Sequence, residues 1–238
     1  MNLLQAIVAV CTRTGLPKPN FVVGSSNSQI VQLHGLANEV CEELGDRWNW
    51  EALTHEAVFT TVDGDDQGLL STHAPFGIST ILRDTFFDRS NRRRIWGPMT
   101  PEEWQIAKAL PTTGPEYSTR IRGGHILVNP PAAAGLTWAF EYMSKFPVQS
   151  AASGEYIQGF VADDDEFLLD DRLLTYGIRW KWKYEKGLTY AEDLRRFEEL
   201  ANSLAAKDNR TREVSLEGSR GVGMQPGIIV PTGNWNLP

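Results

Sequence analysis

Two clusters of charge hold the residues of this chain best suited to chemistry. Asp163-Asp164-Asp165-Glu166, followed by Asp170-Asp171, is the densest run of carboxylates. Carboxylates at that density suit a hard cation, or a pore wall that repels DNA. The same residues at the start of a helix would be solvated and favoured by its dipole. They are adjacent along the chain, so they are not read as an acid/base pair, whose members must face one another across a substrate. Arg89, Arg92, Arg93 and Arg94 form the basic counterpart. A few arginines can hold a DNA backbone. They can equally meet the acidic surface of a neighbouring subunit, and a formal net charge of −7 favours that second use.

Other motifs lead to no chemistry. Asp63-x-Asp65-x-Gln67-Gly68 begins like a calcium loop, but its twelfth position is Ala74 instead of a glutamate. Its flanks read as strands, so a β turn is expected there. Gly221-x-Gly223 leads to Gly227, one residue off the dinucleotide spacing and without a preceding strand. No Gly-x-Ser-x-Gly elbow is present to expose a nucleophile. The 4 histidines include no His-x-x-x-His pair, so zinc is not expected. His34 reads as a structural or surface residue. Cys11 and Cys41 fall on apolar helical faces and read as small buried hydrophobes of a protein made in a reducing compartment. No catalytic residue, cofactor or metal site is expected.

The elements that must position these residues divide 238 residues into four parts. Hydrophobic residues make up 41%, enough for a buried core. No apolar run reaches the roughly 18 residues of a membrane span. Met1-Asn2-Leu3-Leu4 lacks a basic leader, so no signal peptide is expected. Nor does the acidic balance suit a general nucleic-acid binder.

Residues 1–54 read as helical. Leu3, Leu4, Ile7, Val8 and Cys11 share a helical spacing that Gly15-Leu16-Pro17 stops. Ile30, Leu33, Ala37, Val40 and Leu44 form a second stripe, with Asn27 or Ser28 as N-cap and Gly45 as its stop.

Residues 55–161 change period. Ala57–Val62, Gly77–Leu82, Thr85–Phe87 and Thr137–Met143 read as strands, and Gly123-Gly124 as a hairpin turn between Tyr117–Arg122 and His125–Val128. Thr100-Pro101-Glu102-Glu103 signals one interrupting helix. The expectation is a small antiparallel β sandwich or barrel inserted between helices.

Residues 162–207 are helical again, with Thr189-x-x-Glu192 as a capping box. Within them 178–184 fits two patterns. Ile178, Trp180, Trp182 and Tyr184 alternate with basic residues as in a strand, while Leu169, Leu173, Gly177, Trp180 and Tyr184 lie on one helical stripe. Residues 208–238 carry a Gly-rich stem and then Ile228, Ile229, Val230 and Trp235, apolar residues suited to docking elsewhere. Packing on their own domain is the plain alternative.

Several of these segments, in this order, resemble the bacteriophage head–tail adaptor (connector) proteins of the podophage tail tubular A-like family. They are Arg47-Trp48-Asn49-Trp50 after two helices, Phe59-Thr60-Thr61, Trp96-Gly97-Pro98-Met99-Thr100-Pro101-Glu102-Glu103-Trp104, and the Arg122-Gly123 hairpin. Leu173–Lys183 before Gly187-Leu188-Thr189-Tyr190-Ala191-Glu192 completes the set. The resemblance implies an α+β fold: a helical bundle from 1–54 and 162–207, a β-rich insertion at 55–161 and an extended docking tail at 208–238. It implies a helix over 178–184. It further implies a non-enzymatic virion protein at the head–tail junction, made in the host cytoplasm. Its partners would be the portal ring, tail nozzle, tube or fibre proteins, and copies of itself in a dodecameric ring. Double-stranded DNA would pass through without specific binding. The competing reading is a carbohydrate-binding or hydrolysing β domain, because a tryptophan-rich β region can stack sugars.

Overall fold

Asn2 opens the first helix through a reciprocal cap. Gln5 N donates to Asn2 Oδ1 at 2.9 Å, and Asn2 N donates to Gln5 Oε1 at 3.3 Å. In this computed structural model, which describes residues 1–109 and 116–208, the helix is α1 (Leu3–Thr14). Gly15 ends it in the left-handed region at φ +73°. Asn27 caps α2 (Ser28–Arg47), accepting from Gln29 N at 3.0 Å, a contact whose loss costs about 1 kcal/mol. Gly45 is not its stop: the helix continues to Arg47. A Cβ at position 45 would lie 2.5 Å from the Lys145 carbonyl oxygen, so this glycine serves close packing instead of termination.

A 3₁₀ turn (Glu51–Leu53) leads into β1 (Thr54–Thr60), β2 (Gly64–Leu69) and the single turn α3 (Leu70–His73). Then come β3 (Ile78–Ile81), β4 (Phe87–Asp88), β5 (Arg93–Arg94) and α4 (Pro101–Ala109). The Thr100 box forms: Thr100 N donates to Glu103 Oε2 at 2.8 Å and Glu103 N to Thr100 Oγ1 at 3.3 Å. The hairpin of β6 (Ser118–Arg122) and β7 (His125–Ala132) turns on Gly123 and Gly124, at φ +61° and +78°. Next come β8 (Thr137–Ser144) and the two-residue strands β9 (Val148–Gln149), β10 (Tyr156–Ile157) and β11 (Glu166–Phe167). The described chain closes with α5 (Asp171–Glu185) and α6 (Ala191–Asp208).

β8 is the axis of a five-stranded antiparallel sheet. β1 runs along it from Thr54↔Met143 to Thr60↔Thr137, and β3 and β4 share its other side. A second antiparallel sheet has the order β2-β7-β6. Phe59, Trp138, Phe140 and Tyr142 of the first sheet meet Ile126, Val128 and Ala132 of the second in one apolar cluster. The sheets stay open, so the expected barrel is not formed. β2 is a strand the sequence concealed. Its Gly-Asp-Asp-Gln-Gly-Leu is poor in strand formers, and bulges interrupt its pairing to β7. Gln67, 3% exposed, organises the turn before it by bonding Val62 N, Val62 O and Gly64 O.

A second, larger apolar cluster joins α1, α2, α5 and α6. Val148 and Phe160 belong to it, although the sequence reading placed them with the β-rich part. Residues 178–184 are helical within α5. The alternation that mimicked a strand has a packing cause, because α5 lies against α1, α2 and α6 at once. Ile178, Lys181 and Trp182 are all buried around its circumference. The Thr189 box is displaced. α6 starts at Ala191, and the Glu192 carboxylate is taken by Arg195 and Arg196 at 2.9 Å each.

Candidate functional site

The four acidic residues at 163–166 do not begin a helix. They fold into a turn and the start of β11, and α5 starts at Asp171 behind its own cap, Asp170. Asp170 Oδ1 accepts from Arg172 N at 2.9 Å. Two members of the run act as clasps. Asp165, 1% exposed, accepts from Ala151 N, Val161 N and Ala162 N at 3.1, 2.8 and 2.7 Å. Asp163 accepts from Val22 N at 3.0 Å and Val23 N at 2.8 Å. The carbonyls of the same two residues receive Leu3 N and Leu4 N, donors that the first turn of α1 leaves unpaired. Asp164 and Glu166 remain exposed. Nothing in the sequence separates the clasping pair from the exposed pair. Among the described residues no group of three or more His, Cys, Asp or Glu side chains is arranged to hold a metal ion.

The arginines sit on a hairpin. Buried Asp88 accepts from Asn91 N at 3.1 Å and Asn91 Nδ2 at 2.7 Å, tightening the turn between β4 and β5. Arg89 pairs with Glu56, and Arg94 pairs with Asp84 at 2.5 Å. Arg92 stands in the left-handed region at φ +56° with an exposed side chain. Five arginines against two aspartates between positions 83 and 94 make this edge basic on an acidic protein.

Beside the hairpin, Trp96-Gly97-Pro98-Met99 forms a ledge stitched to β6. Trp96 N donates to Tyr117 O at 2.9 Å, Thr119 N to Trp96 O at 2.6 Å and Met99 N to Thr119 O at 2.8 Å. A Cβ at Gly97 would meet Thr119 O at 2.4 Å, and its φ is +132°, so only glycine fits. The ledge holds Trp96 47% exposed, with the Arg94 guanidinium 4.6 Å from its ring centroid. Phe87, 41% exposed, is the cross-strand partner of Arg94. Phe87, Arg94 and Trp96 therefore fall on one face. Exposed aromatics with arginine are the composition of protein–protein contacts. The other tryptophans of the β-rich part, Trp104 and Trp138, are buried and offer no face to a sugar.

Sequence reasoning missed the charge network inside the helical bundle. Lys181 of α5, 8% exposed, reaches Glu39 at 2.6 Å and Glu43 at 3.0 Å on α2. Arg47 then links Glu43 at 3.2 Å to Glu198 of α6 at 2.6 Å. Asp193 of α6 receives Arg179 and, at 2.5 Å, Lys183, both from α5. Burial acts to raise the Asp193 carboxyl, but hydrogen bonds from Lys183 and Arg179 outweigh it and hold the group below its ordinary range. Burial acts to lower Lys181, yet Glu39 and Glu43 raise it above the usual lysine value. Three helices are thus locked in register by charge. The alternating basic residues of α5 were the sequence signal, visible only once a helix was assumed.

The candidate residues Ile228, Ile229, Val230 and Trp235 lie outside the described residues. Among the described residues no helix is long and apolar enough to cross a membrane. No curated protein matches the chain. A family model described as SU10 adaptor protein matches residues 1–222, spanning both apolar clusters, the arginine hairpin and the tryptophan ledge. This chain is a member of the SU10 adaptor protein family, a family of bacteriophage head–tail adaptors.

Proposed function

We propose that this protein forms a ring between the portal of the phage head and the tail, and that the ring continues the DNA channel. Family membership supports a structural virion component. The observation that carries the finer reading is the rigid face of Phe87, Arg94 and Trp96, an interface-like surface on an acidic protein. In the proposed ring the contacts are heterologous: each face meets a different face of the next copy, and rotation closes the set, for which a dodecamer is the proposed count. Arg89, Arg92, Arg93 and Arg94 are the proposed inter-subunit residues, with DNA contact as their lesser use. Asp164 and Glu166 are the members of the acidic run left exposed to line a channel through which DNA slides.

The proposed division is a helical domain built from 1–54 and 162–207 and a β-rich insertion at 55–161, its two facing sheets arranged as a sandwich; the separate apolar cluster of residues 57–142 supports the insertion, while Val148 and Phe160 at its end pack with the helices. The tail, 208–238, is proposed to dock on the portal through Ile228, Ile229, Val230 and Trp235. Tail nozzle, tube or fibre proteins are the partners proposed for the opposite side, as in the tail tubular A-like proteins.

The test is light scattering and electron microscopy on the purified chain, with and without its cognate portal ring. A ring-shaped co-complex with about one adaptor per portal subunit is expected. A monomer or dimer that ignores the portal overturns the proposal.

A further inference from the structure

β1 forms one end of the five-stranded sheet, and the backbone shows which of its residues face outward. On β8, Thr137 O accepts from Arg89 N at 2.8 Å and Glu141 O accepts from Leu82 N at 3.0 Å, so both residues turn their carbonyls to the β3 and β4 side. Their partners on β1 are Thr60 and Glu56. Bonded and unbonded pairs alternate along an antiparallel ladder, so Glu56, Val58 and Thr60 point their N–H and C=O groups away from β8. Among the described residues no strand pairs with them there, and all three side chains are exposed. Edge strands are usually blunted by lysine, proline or a bulge. β2 and β3 pair with shifts of register, and the Trp96–Met99 ledge covers β6. β1 has none of these defences: its register to β8 is unbroken over seven residues, Thr54 to Thr60. Such an edge accepts a further strand.

The other end of the same sheet indicates what fits. Exposed Glu56 and Glu141 are cross-strand partners at the β1 end, whereas the far end carries Arg89, Arg92, Arg93 and Arg94 on the β4–β5 hairpin. Ile95 N donates to Phe86 O at 3.0 Å, so by the same alternation Arg94 turns its peptide groups away from β4. Val58, Ala139, Phe87 and Arg94 are successive cross-strand partners, one row across β1, β8, β4 and β5. Each of these pairings is antiparallel. A strand added beyond β5 that keeps the alternation runs in the direction of β1. A second copy in the same orientation, as a ring requires, therefore supplies it with its own β1. One contact repeated in this way is heterologous, and rotation closes it.

We propose that the open edge of β1 in one copy pairs with the outer edge of β5 in the next, Val58 beside Arg94. The row from Val58 to Arg94 then runs on into the neighbour, and Trp96, two residues beyond Arg94, packs on the neighbour's Val58 side chain. Glu56 and Glu141 of one copy approach the arginine hairpin of the other. The contact rests on the ring reading above and names the two edges that meet.

Val58→Pro in the full chain tests it. The Val58 N–H is not used inside the chain, and proline is tolerated at the outer side of an edge strand, so the melting temperature should fall by no more than about 4 °C. Ring yield with the cognate portal, counted in electron micrographs, should be lost. Undiminished ring yield overturns the proposal. A second variant decides the matter whatever proline does to folding. Val58→Cys with Arg94→Cys is mixed with the portal ring and mildly oxidised. Within one chain β1 and β5 stand three strand spacings apart, roughly 14 Å, beyond the reach of a disulfide. The native Cys11 and Cys41 are buried. Bridges between copies are therefore expected, giving a ladder of linked chains on a reducing-agent-free gel, while Val58→Cys alone gives no ladder. Rings that form without the ladder overturn this contact and leave the ring reading standing. An unsubstituted chain that forms no ring overturns both.

Discussion

Gly177 of α5 faces Val40 of α2 so closely that a Cβ on the glycine would lie 2.6 Å from Val40 Cγ1 and 3.3 Å from Phe197 Cε2. The absent side chain is what lets α5 settle between α2 and α6. That approach in turn brings Lys181 within reach of Glu39 and Glu43.

Gly177→Ala should therefore destabilise the protein. Alanine is the better helix former by roughly 1 kcal/mol. Overpacking a filled core costs about 1–3 kcal/mol, and the packing cost should win. Urea unfolding of the variant measures the balance. A gain in stability would show that the helices can part freely at this point.

Asp193→Asn should cost on the order of 3 kcal/mol at neutral pH, because Arg179 and Lys183 lose the charge that offsets their burial. The sign with pH follows from the depressed carboxyl. The native state binds its proton less readily than the unfolded chain, so the stabilisation is complete above the ordinary aspartate value of about 3.9. It is lost as pH falls below that value. Unfolding curves between neutral and strongly acidic pH should be flatter for the variant. Parallel curves would remove Asp193 from the acid response.

His55 should make stability depend on pH near neutrality. Its ring lies 4.3 Å from Tyr156, 5.4 Å from Phe76 and 5.9 Å from Tyr142, and its Nε2 has no hydrogen-bond partner among the described residues. Burial lowers its pKa, so the neutral ring is preferred in the fold. The contribution is full above the unfolded value of about 6.5 and is lost as pH falls through the lowered folded value. His55→Phe should remove that slope in thermal melts followed from pH 7 to pH 5. Persistence of the slope would assign it to another group.

Arg92→Glu should leave stability within about 0.5 kcal/mol, since the side chain is exposed and no acidic partner is present among the described residues. On the ring reading the same change should weaken co-assembly with the portal, with a clear loss of rings in electron micrographs. Full ring yield would take Arg92 out of the interface.

Local chemistry in the sequence determined much of this fold. Asn2, Asn27 and the Thr100–Glu103 pair mark helix starts because their side chains satisfy donors that any helix leaves unpaired. Gly123-Gly124 marks a hairpin because the turn needs positive φ. The stripe from Ile30 to Leu44 named the buried face of α2. The order of short motifs pointed to the adaptor family that the match over residues 1–222 shows. Tertiary structure decided what local rules leave open. Whether 178–184 is helix or strand depended on α5 being enclosed by three helices, so that no single face could carry the apolar pattern. Gly45 reads as a helix stop until the Lys145 backbone is seen against it. Asp163 differs from Asp164 in that the Val22 and Val23 amides lie near it, a matter of long-range approach that adjacent residues of like charge cannot reveal.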